Sequence, residues 1–174
     1  MSAKYENTSA GENYENTLSA FRHAVELGTD MLELDCQLTR DGQVVVSHDS
    51  VLDVRTEVKG AISEYDYAEL PPIKEQIPVD FMPGIVFTGK SEDRRFPLLE
   101  ETFQHFPSTP INIDIKTDNN ELIEKSYKRS RHCEFHKFSC SKRCLSKKRC
   151  EDGYRRILAL GHHCSGENTG SASL

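Results

Sequence analysis

The sequence predicts a mixed α/β domain, and three stretches carry that expectation. Residues 15–28 read as an amphipathic helix that leads through Thr29-Asp30 into a strand at 31–36. That strand meets a strong turn signal at Asp41-Gly42, followed by the β-branched run Val44-Val45-Val46. A third strand is written at 111–116, where isoleucines alternate with Asn112, Asp114 and Lys116.

In chain order, residues 1–10 are polar and aperiodic, the composition of a disordered leader. In the helix, Asn16 or Thr17 serves as N-cap, and Leu18, Phe21, Ala24, Val25 and Leu27 fall near one face. Gly28 suits the left-handed residue that ends it. In the next strand Glu33 and Asp35 alternate with apolar neighbours and so share a face. Residues 52–95 form a loop-rich insertion punctuated by Pro71, Pro72, Pro78, Pro83, Gly84 and Gly89, long enough for a lid or a small subdomain. A short capped helical turn is expected at 63–70, and a second helix starts near Pro97 and stops at Pro107. Beyond Leu122 regular periodicity is lost.

The charge is uneven: residues 1–123 carry a net −13 and residues 124–174 a net +7. Five of the six cysteines also lie in that second stretch, so it reads as a separate basic, Cys-rich tail of poor order. No apolar run approaches the ~20 residues of a membrane span, and no signal-peptide pattern is visible. The expected compartment is therefore cytoplasmic, with the cysteines as thiols. There is no Gly-rich phosphate loop, no nucleophile elbow and no HExxH.

Three groups of residues are candidates for chemistry, each with two readings. Glu33, Asp35 and Asp114 are hard oxygen donors on strands that suit Mg²⁺ or Ca²⁺, or else solvated strand charges. His48 is placed to act as a general acid or base, or to be satisfied by Asp49. Lys116 offers a point charge to a phosphate, or pairs with a neighbouring carboxylate. The tail ligands His132, Cys133, His136, Cys140, Cys144, Cys150, His162, His163 and Cys164 lack a paired C-x₂-C knuckle, which argues against zinc. The basic run 142–149 reads as a solvated tail before a nucleic-acid or lipid site.

Taken together, Glu15-Asn16-Thr17-x₃-Phe21, Glu33-Leu34-Asp35, His48-Asp49 and Ile113-Asp114-Ile115-Lys116 resemble the glycerophosphodiester phosphodiesterase family in order and spacing. The stretches GENYENTLSAFRHAVELGTDMLELDCQLTRDGQVVVSHD and FPLLEETFQHFPSTPINIDIK are similar to its animal membrane-associated, lysophospholipase D-type members. The resemblance covers residues 11–123.

It implies a TIM barrel with the site at the C-terminal strand ends, and a metal-dependent phosphodiester hydrolase of glycerophosphodiesters or lysophospholipids. It also implies Glu33, Asp35 and Asp114 as ligands of Mg²⁺ or Ca²⁺, with Asp114 where the family usually has Glu. His48 and Lys116 would be catalytic, with Glu15 and Asn16 in support. The family's other catalytic His lies in a His-Arg-Gly motif before the E-N-T element, where this chain reads Glu6-Asn7-Thr8-Ser9-Ala10-Gly11. The expected fold is thus a truncated barrel of about three of eight strands, with impaired turnover. The alternative is a non-catalytic isoform that touches partners or anionic membrane through its basic tail, without specific nucleic-acid binding.

Overall fold

The computed structural model describes residues 5–6, 13–78, 86–130 and 136–140. Its elements run β1 (Tyr5–Glu6), α1 (Leu18–Glu26), β2 (Met31–Leu38), β3 (Val44–Val46), β4 (Gln76–Pro78), β5 (Val86–Thr88), α2 (Leu99–His105), β6 (Ile111–Ile115), α3 (Asn120–Ser130) and β7 (His136–Cys140). Strands β1, β2, β6 and β7 pair side by side and parallel, in that order. Strand β3 folds back antiparallel onto β2, and β4–β5 form a separate hairpin.

The parallel strands follow one another in space as they do in sequence, with a helix in every connection. All three helices pack on one sheet face. Leu18 and Phe21 of α1, Phe103 of α2 and Leu122 of α3 share one core with Leu32, Leu34, Ile111, Ile113 and Ile115. A doubly wound sheet would carry helices on both faces and reverse its strand order. Helices on one face and unreversed order make an arc of a TIM barrel. The isoleucines of β6 are wholly buried, each worth roughly 1.5–3 kcal/mol of apolar transfer.

Local chemistry explains most boundaries. The Thr17 side chain caps α1 by accepting from the Ala20 amide at 3.3 Å. Gly28, at φ 82°, supplies the left-handed residue after it. The expected turn at 63–70 resolves into two short 3₁₀ turns, Ile62–Glu64 and Tyr67–Glu69.

The insertion has its own core, in which Leu52, Ile62, Ile73 and Phe96 gather with Tyr14 and Val45. Tyr14 ties it to the barrel arc. Its hydroxyl donates to the Glu75 carbonyl at 2.9 Å, and its ring meets Phe87 edge-on at 5.6 Å. Gly89 comes so close to that ring that a Cβ there would collide with it.

Two stretches differ from expectation. Tyr5–Glu6, within the region read as a leader, pair with Met31 and Leu32. Helix α3 also runs past residue 123 into the region assigned to the tail. Its start is capped by Asn119, whose Oδ1 accepts from the Leu122 amide at 3.1 Å, and Leu122, Ile123 and Ser126 are buried. Strand β7 follows and adds to the edge of β6. Three buried positions in an eleven-residue helix of net polar composition leave too faint a period to read.

Among the described residues no helix is long and apolar enough to cross a membrane. Most of the tail, with the basic run 142–149 and the cysteines beyond Cys140, lies outside the described residues.

Candidate functional site

The polar face of the arc is set by register. Glu33 lies beside Asn112 and Asp35 beside Asp114, so strand pairing alone brings the three predicted carboxylates onto one face. The helices cover the opposite face, which keeps this one inside the curve of the arc. Asp35 is buried at 3% exposure, while Glu33 and Asp114 are half-buried.

Lys116 follows directly after β6, and its Nζ stands 2.8 Å from Asp35 Oδ1. The sequence left open whether this lysine pairs with a carboxylate, and the structure shows that it does. Burial by itself would lower the Lys116 pKa. That is the largest single influence, and only the bond to Asp35 together with the charges of Asp35, Asp114 and Glu33 outweighs it and lifts the value above the ordinary lysine one. One ammonium thus feels all three carboxylates.

A raised lysine pKa means that the folded state holds its proton more tightly than the unfolded chain. The resulting stabilisation is complete below the unfolded value and is lost as pH rises through the folded one. Lys116→Met is therefore expected to narrow its stability gap from the native chain as pH climbs beyond about 10.4. Urea unfolding of both proteins from pH 7 to 11 checks this; a gap independent of pH would show that the ion pair adds no stability.

Among the described residues, no three His, Cys, Asp or Glu side chains converge as a ready-made metal cage. At Asp35 the charge partner is the Lys116 ammonium. The donors themselves are of the right kind, three carboxylates on adjacent strands.

His48 lies just past β3 with its side chain half exposed. Its Nδ1 sits 2.9 Å from Asp49 Oδ1, one of the two expected readings of this histidine. Its carbonyl accepts from Gln37 Nε2 at 3.2 Å, which fixes the loop to the polar end of β2. Glu15 contributes its main chain: its carbonyl accepts from Arg55 Nη2 at 2.6 Å. Asn16 is buried at 1% exposure in the left-handed region, at φ 59°. Asparagine is among the few residues that tolerate this conformation.

Arg55 is the residue that sequence reasoning missed. It is 5% exposed and joins the insertion to the Glu15 turn, while its own carbonyl accepts from the Lys74 amide at 2.9 Å. It stands alone in a stretch with weak patterning. Its one visible signal is a guanidinium seven residues after His48. Cys36, on the helix-covered face, is an inert thiol: burial pushes its pKa up strongly, and the Asp35 charge adds to the rise.

A model for the "Glycerophosphoryl diester phosphodiesterase family" matches residues 2–149. The human protein "Lysophospholipase D GDPD1" is 57% identical over 116 residues, which cover 67% of this chain and 36% of that protein. A "Glycerophosphodiester phosphodiesterase" of Caldanaerobacter subterraneus subsp. tengcongensis is 37% identical over 105 residues, covering 59% of this chain and 40% of the relative. The crystal structure of the Thermotoga maritima glycerophosphodiester phosphodiesterase superposes with a TM-score of 0.60 at 26% identity, over 87% of this chain and 56% of that one. The chain thus spans little more than a third of the length of its curated relatives.

Proposed function

The chain belongs to the glycerophosphoryl diester phosphodiesterase family, and from that premise we propose that it is a divalent-cation-dependent phosphodiester hydrolase of low turnover. The substrates are glycerophosphodiesters or lysophospholipids. Water adds to phosphorus, the bond from phosphorus to the head-group oxygen breaks, and the proton lost by water returns to the leaving alkoxide. Glycerol phosphate or lysophosphatidic acid and an alcohol result. The observation that carries the reading is the in-register face of Glu33, Asp35 and Asp114, closed by Lys116 at 2.8 Å from Asp35. The resemblance to a named lysophospholipase D supports the substrate class.

Glu33, Asp35 and Asp114 would hold Mg²⁺ or Ca²⁺, in exchange for the Lys116 contact. Such an ion supplies Lewis acidity toward a phosphoryl oxygen. Released from Asp35, the Lys116 ammonium is a point charge for the phosphate. Asp49 holds the His48 imidazole through Nδ1, which leaves Nε2 to carry a proton to or from the reacting oxygens. Glu15 and Asn16 shape the neighbouring turn. The segment from Glu6 to Gly11 holds no histidine to share the proton work. One missing partner of an acid/base pair costs ~10²–10⁴ in rate, which is why turnover is low.

The test follows choline released from lysophosphatidylcholine by the full chain, with Mg²⁺ or Ca²⁺ and then with chelator. Slow release that stops on chelation is expected. No release above the uncatalysed rate with either ion overturns the reading. As a readout independent of activity, Lys116→Met is expected to raise the thermal shift produced by the divalent ion, because it frees Asp35.

A further inference from the structure

The proposed chemistry leaves one buried cation without a task. The Arg55 guanidinium carries five N–H donors. Among the described residues its side chain makes one hydrogen bond, to the Glu15 carbonyl, and no carboxylate stands at ion-pairing distance. Buried charges are ordinarily paired, because an unpaired one forfeits its hydration. Glu15 and Asp49 reach Arg55 only through their fields: burial lowers its pKa, and those two charges partly restore it.

One peptide away lies a second polar group in the same condition. Asn16 is 1% exposed, and among the described residues neither its Oδ1 nor its Nδ2 has a hydrogen-bond partner. A buried donor or acceptor left unmade is costly, and native proteins keep few of them. The Glu15 carbonyl that Arg55 grips belongs to the peptide that leads into Asn16. Two polar side chains, both more than nine-tenths buried, therefore meet at one peptide: a guanidinium with one described hydrogen bond and an amide with none among the described residues.

We propose that Arg55 and Asn16 form an oxyanion subsite for a phosphate group, whether on the substrate or free in solution. The proposal rests on the phosphodiesterase reading for its ligand class. A guanidinium fork with free N–H groups matches two phosphate oxygens at once, and the Asn16 amide donates to a third. Filling the subsite requires the enclosed turn at Glu15-Asn16 to open enough to admit the anion. No sequence motif announces the arrangement, because its parts lie 39 residues apart.

The experiment titrates the full chain calorimetrically with inorganic phosphate and with glycerophosphocholine, and follows thermal unfolding, for the native protein and for Arg55→Gln, Arg55→Lys and Asn16→Ala. Arg55→Gln is expected to weaken both ligands by roughly 10–100-fold, the range of a charge-assisted bond. Arg55→Lys should retain part of the affinity. Without ligand, Arg55→Gln should melt at or above the native temperature, because it removes an unpaired buried charge. Native binding that Arg55→Gln leaves unchanged overturns the subsite, as does absent phosphate binding. A ligand-free melt that falls by several degrees would make Arg55 a structural tie and also overturn it. Hydrolysis separates the two claims. Native turnover with Arg55-independent binding sinks the subsite alone, whereas Arg55-dependent phosphate binding without any turnover sinks the phosphodiesterase reading alone.

Discussion

His48→Ala is expected to cut hydrolysis of a glycerophosphodiester by roughly 10²–10⁴-fold while leaving the fold intact. The two halves of that expectation have separate grounds. The imidazole is half exposed, and its described side-chain partner is the adjacent Asp49. An exposed pair of that kind contributes at most ~1 kcal/mol. The role proposed for it is larger. A carboxylate only accepts, so pairing at Nδ1 places the hydrogen there and leaves the Nε2 lone pair for the proposed proton transfer. Asp49→Asn tests the positioning: it keeps the size of the partner but no longer enforces that tautomer, so the loss should be real and smaller than that of His48→Ala. Steady-state rates of choline release and thermal melts of all three proteins decide it. Equal rates for His48→Ala and the native chain would remove His48 from the proposed mechanism.

What could be read from the chain beforehand depended on whether a signal was local and periodic. The Glu33-x-Asp35 and Asn112-x-Asp114 alternations each define a face by the two-residue period of a strand. Parallel pairing then had only to set Asp35 beside Asp114 to assemble the carboxylate group. Gly28 and Thr17 marked the ends of α1 by their own chemistry. The insertion core could not be seen this way. Tyr14, Leu52, Ile62, Ile73 and Phe96 are spread over more than eighty residues without period, and only the folded chain brings them together. Strand β7 was hidden for a different reason. Its sequence, HKFSC, has a single large apolar residue, and its place comes from the free edge of β6 rather than from its own pattern. Arg55 combines both difficulties, since a lone charge in a loop reads as solvated until burial is known.

Ile113→Ala is expected to cost ~2–5 kcal/mol of stability, against ~0.5–1.5 kcal/mol for Ile113→Val. Ile113 is wholly buried at the middle of β6, in register with Leu34 on one side and Phe138 on the other. Strand β2 is also held by its ladders to β1 and β3, so on that side the surrounding chain has little freedom to collapse into the space the side chain leaves. The cost therefore falls toward the upper part of the range, a large share of the ~5–15 kcal/mol that holds a typical domain together. The same strand carries Asn112 and Asp114 on its other face. Loosening Ile113 thus disturbs the register that sets Asp114 beside Asp35, and the two faces should fail together. Urea unfolding measures the first effect, and the divalent-ion thermal shift measures the second. A destabilised Ile113→Ala that keeps the full ion response would show that the carboxylate face is held independently of the helix-covered core. Loss of both in proportion would show that one strand, β6, supports core and site at once.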